Sequence, residues 1–189
     1  MKRIFIAIRI IPEKSLLSMI SSYKLALKGD SIKWTDVSNM HITLVFLGDT
    51  PEKKVEELDN ILKEQCSGSG EFELVISGSG VFKSIKDPRV LWTGVVNSEK
   101  MNRLQKILVK KLRESGIEFE KRLFSPHLTL GRIKKINDLD KLITILDEYW
   151  DHVTQRVKVS EIILYESILR PEGPLYKPLG KYSLLKTHP

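Results

Sequence analysis

The sequence contains the stretch MHITLVFLG at residues 40–48, and a near copy of its core, PHLTLGRI, returns at residues 126–133. Both stretches contain His-x-Thr-Leu, and the second histidine follows the first by 86 residues. The chain has 4 histidines among 189 residues, so half of them fall in the repeated tetrapeptide. Packing alone would preserve the leucine rather than the histidine. The recurrence therefore indicates a functional role for the polar pair.

The first His-x-Thr-Leu stretch is typical of a strand. Side chains two residues apart on a strand point to the same face of the sheet. We therefore expect His41 and Thr43 to point one way, and Ile42, Leu44 and Phe46 to point into the core. A polar pair framed by core residues is what a site on a rigid sheet requires.

The second stretch repeats this arrangement, with His127 and Thr129 on one face of its own strand. Two copies packed about a pseudo-twofold axis would bring the equivalent strands to face each other. Imidazole has an unperturbed pKa of about 6.5, so one histidine can accept a proton while the other donates one. Cleavage of a phosphodiester needs both a proton acceptor for the attacking water and a proton donor for the departing oxygen. The threonine hydroxyls can donate hydrogen bonds to the phosphate oxygens. The repeated pairs therefore favour phosphodiester chemistry.

The elements around the two motifs repeat in the order βαβαβ, and each motif lies on the second strand of its half. In the first half, Pro12 opens a helix, and Thr50-Pro51 is a good N-cap and first-turn pair for the next one. In the second half, Asn97-Ser98 caps a helix. The remaining predicted strands cover residues 3–10, 72–76, 89–96 and 157–165, and residues 169–185 predict a loop and one last short strand.

A duplication of about 90 residues explains this order. We predict an α+β fold of duplicated βαβαβ units, in a single bilobal domain spanning residues 1–189. The repeat halves are expected at roughly residues 1–85 and 86–189.

Composition limits the class of protein. Hydrophobic residues at 41% and charged residues at 29% are typical of a globular chain, and a net charge of +7 suits a phosphate-rich partner. The single cysteine, Cys66, excludes an internal disulfide and fits a reducing compartment. Arg9 interrupts the apolar N-terminal run, and no uncharged run approaches the roughly 20 residues that span a bilayer. We expect a soluble, cytoplasmic monomer.

Several other features are weaker candidates for a site. The SGSG stretches at residues 67–70 and 77–80 lack the Gly-x-x-x-x-Gly-Lys-Ser/Thr pattern of a phosphate loop and are predicted to be flexible connectors. His152 and His188 have no threonine partner and are expected at the surface. With one cysteine and no histidine-rich spacing, we expect no metal site.

The paired motifs on a duplicated βαβαβ frame resemble the 2H phosphoesterase superfamily. The opening RIFIAI at residues 3–8 and HLTLGR after RLFSP narrow the resemblance to the RNA 2',3'-cyclic phosphodiesterase family, historically called 2'-5' RNA ligases. The similarity runs from about residue 2 to residue 184. It implies a V-shaped groove with the four motif residues at its centre and neither metal nor other cofactor. Members open a 2',3'-cyclic phosphate to a 2'-phosphate, and some join RNA ends through a 2'-5' linkage without ATP.

The resemblance also assigns roles to residues. It makes His41 the general acid for the 3' oxygen and His127 the general base for water. Thr43 and Thr129 would hold the phosphate, and Arg132 would add positive charge there.

Arg132 presents a difficulty, because strict alternation along the strand places it on the face opposite the second histidine. Gly131 offers a solution, since a glycine inside a strand often marks a bulge that redirects the next side chain. Two aromatic residues, Phe124 and Trp34, precede the motifs and are candidates for stacking on bases.

The expected substrates are RNA with a 2',3'-cyclic phosphate end or 2',3'-cyclic nucleotides. One alternative is a 2H phosphoesterase acting on another small cyclic nucleotide. Another is a non-catalytic module that binds RNA or nucleotides, although a pure binder needs neither an acid nor a base. The basic stretches KRLF and GRIKK flank the second motif, so we expect that half to contact more of the RNA backbone.

Overall fold

The computed structural model describes residues 1–96, 99–171 and 173–185. Over these residues the chain forms nine strands, four α-helices and one short 3-10 helix. In chain order they are β1 (Lys2–Arg9), α1 (Lys14–Ala26), β2 (Ser31–Trp34), the 3-10 helix (Val37–Asn39), β3 (His41–Thr50), α2 (Glu52–Cys66), β4 (Phe72–Ser84), β5 (Asp87–Val96), α3 (Glu99–Glu114), β6 (His127–Lys135), α4 (Leu139–Glu148), β7 (Val153–Val159), β8 (Glu161–Ile168) and β9 (Leu175–Ser183). Across the described part of the chain, no helix is both long enough and apolar enough to cross a membrane.

The strands form one sheet in the order β7-β4-β5-β6-β3-β1-β8-β9, and β2 pairs with β6. Each neighbouring pair is antiparallel. The motif strands β3 and β6 are adjacent at the centre, where Ile42 lies opposite Leu128. The two strands thus lie side by side in one sheet, whereas the duplication predicted that they would face each other.

The two halves of the chain exchange strands. β4 follows the first motif in sequence, yet it pairs with β5 and β7. β8 and β9 come last in sequence, yet they extend the sheet beyond β1. Each side of the central β3–β6 pair therefore contains strands from both halves of the chain.

The sheet separates a large core from a smaller apolar cluster. On β1, Ile4, Ile6 and Ile8 are at most 2% exposed and belong to the large core with the helices. Burial of each such side chain contributes roughly 1.5–3 kcal/mol. The alternate residues Phe5 and Ala7 point to the opposite face and form the smaller cluster with β8. This second face carries the polar residues of both motifs.

Helices α1 and α4 pack over one part of the core. The buried residues of α1 follow the helical spacing expected from its sequence: Leu16, Met19, Ile20 and Tyr23. The Tyr23 hydroxyl donates a hydrogen bond of 3.2 Å to the carbonyl oxygen of Ile145 in α4. This contact satisfies a buried hydroxyl and fixes one helix against the other.

The second SGSG stretch is not a flexible connector, and that prediction was wrong. Residues 77–80 lie inside β4, where the pairing with β5 shifts register between Ser77 and Ser79. Gly78 has a φ of 73°, and a Cβ there would lie 2.7 Å from the carbonyl oxygen of Trp150. A Cβ at Gly80 would overlap the ring of Trp92. The glycines therefore permit close packing within the sheet. The first SGSG stretch, at residues 67–70, is the predicted connector.

Several element boundaries also differ from the predictions. Thr50 is the last residue of β3 and does not cap α2, whose N-cap position is Pro51. The Thr50 hydroxyl donates to the carbonyl oxygen of Gly48 instead, at 3.2 Å. The single strand predicted at residues 157–165 is two strands, interrupted at Ser160. The predicted cap Asn97-Ser98 lies outside the described residues.

One strand was not predicted from the sequence, and another is longer than predicted. The four-residue β2 was not predicted, so the first motif lies on the third strand of its half. The expected short terminal strand is the nine-residue β9, which pairs with β8 along its length. Both strands contribute residues to the cavity described below.

Candidate active site

The two motifs meet on one face of the central strand pair. Because Ile42 lies opposite Leu128, extending this antiparallel register by one residue places His41 opposite Thr129. The same step in the other direction places Thr43 opposite His127. All four polar residues line one cavity of about 690 Å³, which we call the motif cavity. Each histidine thus has the threonine of the other motif as its cross-strand neighbour.

Both imidazoles are oriented by the same local contact. The Nδ1 atom of His41 lies 2.6 Å from the carbonyl oxygen of Asn39, and that of His127 lies 2.7 Å from the carbonyl oxygen of Ser125. A carbonyl oxygen can only accept, so Nδ1 carries the hydrogen in each ring. The lone pair of the neutral ring is then on Nε2, where it is available to accept a proton.

The environment favours the neutral form of both histidines. Burial lowers the pKa of His41 below the ordinary 6.5, the hydrogen bond to Asn39 opposes this, and the charges of His127 and Arg132 lower it further. Burial also lowers the pKa of His127, and the charge of Arg132 adds to the effect against the hydrogen bond to Ser125. At neutral pH the free site therefore holds two neutral imidazoles that are ready to accept protons.

Aromatic rings enclose the two histidines unequally. The His41 ring contacts both Phe5 and Tyr176, with centroid distances of 4.9 and 5.0 Å. The His127 ring contacts Phe82 edge-on at 4.6 Å. Tyr176 also lines the motif cavity. Nothing local in the sequence signals this role, because Tyr176 reaches the site through the pairing of β9 with β8.

The bulge expected at Gly131 is present in β6. Leu91 of β5 pairs with Gly131, whereas the next residue, Trp92, pairs with Thr129. Leu130 and Gly131 are consecutively buried, and Arg132 is exposed and lines the motif cavity. The extra residue thus moves Arg132 onto the face that carries the motif residues, against strict alternation.

An equivalent bulge in β3 corrects the prediction for Phe46. Ile6 of β1 pairs with Val45, whereas Ala7 pairs with Thr43, so Leu44 is the extra residue. Phe46 was predicted to point into the large core, and this is wrong. Its ring belongs to the smaller cluster on the His41 face, and the Arg3 guanidinium lies 5.0 Å from its centroid.

The two aromatic candidates lie on different parts of the site. Phe124 lines a second cavity of about 450 Å³, which shares Thr43 and His127 with the motif cavity. We call it the Phe124 cavity. Trp34 lines the motif cavity, but it also packs against the large core, and its ring lies 5.9 Å from the Lys24 ammonium. The structure thus places both residues beside the motifs and packs both partly against the core.

The remaining candidates lie elsewhere. His152 is exposed, as predicted, and its ring contacts Tyr149. His188 lies outside the described residues. Within residues 1–96, 99–171 and 173–185, no group of three or more His, Cys, Asp or Glu side chains is arranged to hold a metal ion.

The chain is similar to known proteins over most of its length. The family model "LigT like Phosphoesterase" matches the chain twice, at residues 10–92 and 95–176. An RNA 2',3'-cyclic phosphodiesterase of Thermotoga maritima is 36% identical over 178 residues, which cover 94% of this chain and 92% of that protein.

Solved structures share the fold at lower sequence identity. The protein TT0787 of Thermus thermophilus matches with a TM-score of 0.78 at 23% identity, covering 98% of this chain and 100% of that chain. LigT of E. coli complexed with 3'-AMP matches with a TM-score of 0.73 at 22% identity, covering 97% and 98%. The predicted duplicated α+β fold is confirmed by the double family match and by these structures. The chain belongs to the LigT-like phosphoesterase family.

Proposed function

We propose that this chain hydrolyses the 2',3'-cyclic phosphate at RNA ends, or in 2',3'-cyclic nucleotides, to a 2'-phosphate. The supporting observation is the pair of imidazoles on one cavity, each with its Nδ1 hydrogen bonded to a backbone carbonyl. The name of the Thermotoga maritima relative and the 3'-AMP bound to E. coli LigT support the same substrate class.

In the proposed step, the oxygen of a water molecule attacks phosphorus while the bond from phosphorus to the 3' oxygen breaks. The Nε2 atom of His127 takes a proton from the water. His41, protonated before the step, gives its proton to the departing 3' oxygen. The products are a 2'-phosphate and a 3'-hydroxyl, and the two histidines have exchanged protonation states.

The other cavity residues have supporting roles. The hydroxyls of Thr43 and Thr129 donate hydrogen bonds to the non-bridging oxygens, where negative charge increases in the transition state. Arg132 supplies a positive charge to the same oxygens. Because the cyclic phosphate is an anion, its binding favours the protonated form of His41 and offsets the burial that lowers its pKa.

The same groups could act in reverse. A 5'-hydroxyl of RNA would replace water as the nucleophile, and its attack on the cyclic phosphate would form a 2'-5' linkage without ATP. Phe124 and Trp34 are proposed to stack on bases at the two ends of the site. In this proposal all catalytic groups are protein side chains, so no metal or other cofactor is required.

We propose that the chain forms a single bilobal domain, because strands from both halves of the chain enter one sheet. The repeat halves would divide near residues 85 and 86. We also propose that the protein acts in the cytoplasm as a monomer. Its one cysteine is a free and buried thiol, as a reducing compartment permits.

The direct test is incubation of the purified protein, in EDTA, with cytidine 2',3'-cyclic phosphate and with an RNA ending in a cyclic phosphate. We expect 2'-phosphate products from both, identified by chromatography against 2'- and 3'-phosphate standards. The double variant His41→Ala/His127→Ala, purified in parallel, controls for contaminating phosphodiesterases. A 3'-phosphate product, or activity that EDTA abolishes and a divalent ion restores, would contradict the proposal.

A further inference from the structure

Two positive side chains lie directly opposite each other beside the motif cavity. Lys33 of β2 and Arg132 of β6 are partners in the antiparallel pairing, and both residues line the cavity. Like charges in opposite positions on neighbouring strands destabilise a sheet. Neither side chain forms an ion pair with any residue that the structure describes. A bound anion at this position would offset the repulsion.

A third cation comes from the connection between β8 and β9. Arg170 begins a turn that is closed by a 3.1 Å hydrogen bond from the Gly173 amide to the Arg170 carbonyl. Arg170 lines the motif cavity and has no ion-pair partner in the described part of the chain. The Lys33 ammonium lies against Gly173, where a Cβ would be 3.6 Å away. The turn thus brings Arg170 to the same side of the motif cavity as Lys33, and we call this side the wall.

The turn is held in place by the 3-10 helix before the first motif. The side-chain amide of Asn39 donates a hydrogen bond of 2.9 Å to the carbonyl oxygen of Pro174. The backbone carbonyl of the same Asn39 accepts from His41. The wall that carries Lys33 and Arg170 is therefore connected to the first catalytic strand through one residue.

The charge of this wall exceeds what one cyclic phosphate requires. Among the described residues lining the motif cavity, Asp36 is the sole acid, and its carboxylate already accepts hydrogen bonds from Ser38. A cyclic phosphodiester carries one negative charge, for which Arg132 and the motif residues suffice. Lys33 and Arg170 add two further positive charges on the side of β2 and the β8–β9 turn.

We infer that Lys33 and Arg170 form a second phosphate subsite, which binds a phosphate group of the substrate other than the one that reacts. This inference rests on the proposed function and specifies its substrate class. The substrate carries at least two phosphates: the cyclic one, and either a 5'-phosphate on the same nucleoside or the preceding linkage of an RNA chain.

The test compares kcat/KM for three substrates: cytidine 2',3'-cyclic phosphate, its 5'-phosphorylated form, and the dinucleotide that ends in the same cyclic phosphate. Lys33→Gln and Arg170→Gln should each lose about tenfold or more on a two-phosphate substrate, the size expected for one lost charged hydrogen bond. On the one-phosphate substrate the loss should be about threefold or less, because neither side chain is assigned a hydrogen bond to the reacting phosphate and screening weakens the remaining effect of an exposed charge.

The matched control is Lys86→Gln, which removes an exposed lysine from the turn between β4 and β5. It should change all three values by less than about twofold, because Lys86 lines neither the motif cavity nor the Phe124 cavity and its exposed charge is screened. A response confined to the 5'-phosphorylated nucleoside assigns the subsite to a phosphomonoester, and a response confined to the dinucleotide assigns it to an RNA linkage. Equal losses of Lys33→Gln on all three substrates, or no loss on any, would overturn the inference.

Binding to unreactive ligands separates this inference from the proposed function. If the wild-type protein cleaves none of the three substrates, the proposed function fails. Calorimetry with cytidine 2',5'-bisphosphate and cytidine 2'-monophosphate still tests the subsite. We expect the wild-type protein to bind the bisphosphate more tightly than the monophosphate. In Lys33→Gln this difference in affinity should be lost, and the slope of log affinity for the bisphosphate against log salt concentration should fall by about one. Equal affinities for the two ligands in the wild type would overturn the subsite in either case.

Discussion

Ile42 of β3 lies directly opposite Leu128 of β6, and this pairing fixes the arrangement of the candidate site. Each residue is the centre of a His-x-Thr triplet, so the antiparallel register places the histidine of one motif next to the threonine of the other. A phosphate between the strands would then have a titratable group and a hydroxyl on each side. The duplication thus supplies two imidazoles from one local sequence pattern, and their surroundings differ because their aromatic neighbours differ.

The first prediction concerns the two histidines. His41→Ala and His127→Ala should each lower kcat by about 10²–10⁴-fold, the usual contribution of a general acid or base. The double variant should lose much less than the product of the two losses, because both groups act in one step. Steady-state kinetics with a 2',3'-cyclic nucleotide measures all three values.

A substrate with a good leaving group separates the two roles. A p-nitrophenyl phosphodiester needs no proton on its leaving group, so the variant that lacks the acid should recover much of its rate. We expect this rescue for His41→Ala and not for His127→Ala. Rescue of His127→Ala alone would reverse the assignment of acid and base, and equal rescue of both would remove it.

The second prediction concerns the threonines. Thr43→Ala and Thr129→Ala should each lower kcat/KM by about 10-fold to 100-fold, as expected for the loss of one hydrogen bond to a charged oxygen, about 1.5–3 kcal/mol. Thr43→Ser and Thr129→Ser keep the hydroxyl and are the matched controls, which should retain most of the activity. If the serine variants lose as much as the alanine variants, then the methyl group and its packing matter, and the hydroxyl does not.

The third prediction concerns pH. In the proposed mechanism the reactive form has His41 protonated and His127 neutral. The pKa of each histidine is lowered in the free protein, chiefly by burial. As pH rises past the lowered pKa values, His41 loses the proton that it must donate. As pH falls below them, His127 becomes protonated and can no longer accept a proton. The profile of kcat/KM, which reports the free enzyme, should therefore be a bell with its maximum below about pH 6.5. The two apparent values belong to the pair, because the imidazoles interact.

Two measurements check this pH dependence. The profile of kcat should be displaced to higher pH than that of kcat/KM, since the bound phosphate anion favours protonated imidazole. Arg132→Gln removes a positive charge that lowers the pKa of both histidines. The pH at which this variant reaches its maximum kcat/KM should therefore be higher than in the wild type, even though the value of kcat/KM is lower. A wild-type maximum of kcat/KM well above pH 7 would contradict the lowered pKa values.

The motif strands could be predicted from sequence because the signal is local. Alternation of polar and apolar residues identifies β3 and β6, and the repeat places them in equivalent positions. The residues that complete the motif cavity come from elements positioned by distant pairing. Lys33 reaches the site because β2 joins β6, and Tyr176 because β9 joins β8. No pattern within either segment indicates its partner strand.

The two bulges show where alternation fails. In β6 the bulge has a glycine, Gly131, and this glycine was a reason to expect Arg132 on the face that carries the motif residues. In β3 the equivalent bulge falls at Leu44 and Val45, which are both ordinary strand residues. The sequence offered no signal there, so Phe46 was assigned to the wrong face. A one-residue shift moves every later side chain to the other face of the sheet.

The last prediction tests the bulge in β6 directly. A Cβ at Gly131 would lie 2.8 Å from Cγ2 of Ile32 and 3.3 Å from Cε3 of Trp34, on the neighbouring strand. Gly131→Ala should therefore force β2 away from β6 and lower the free energy of unfolding by about 1–3 kcal/mol, the usual effect of overpacking. The same shift displaces Arg132, so kcat/KM should fall as well.

Gly29→Ala is the matched control, because a Cβ at Gly29 meets nothing within 4 Å. Its free energy of unfolding should be unchanged or higher by up to about 1 kcal/mol, since alanine restricts the unfolded chain. Urea unfolding measures the stability of both variants, and kinetics with a 2',3'-cyclic nucleotide measures their activity. If Gly131→Ala matches Gly29→Ala in both measurements, β6 tolerates a side chain at the bulge, and Arg132 owes its position to something other than the glycine.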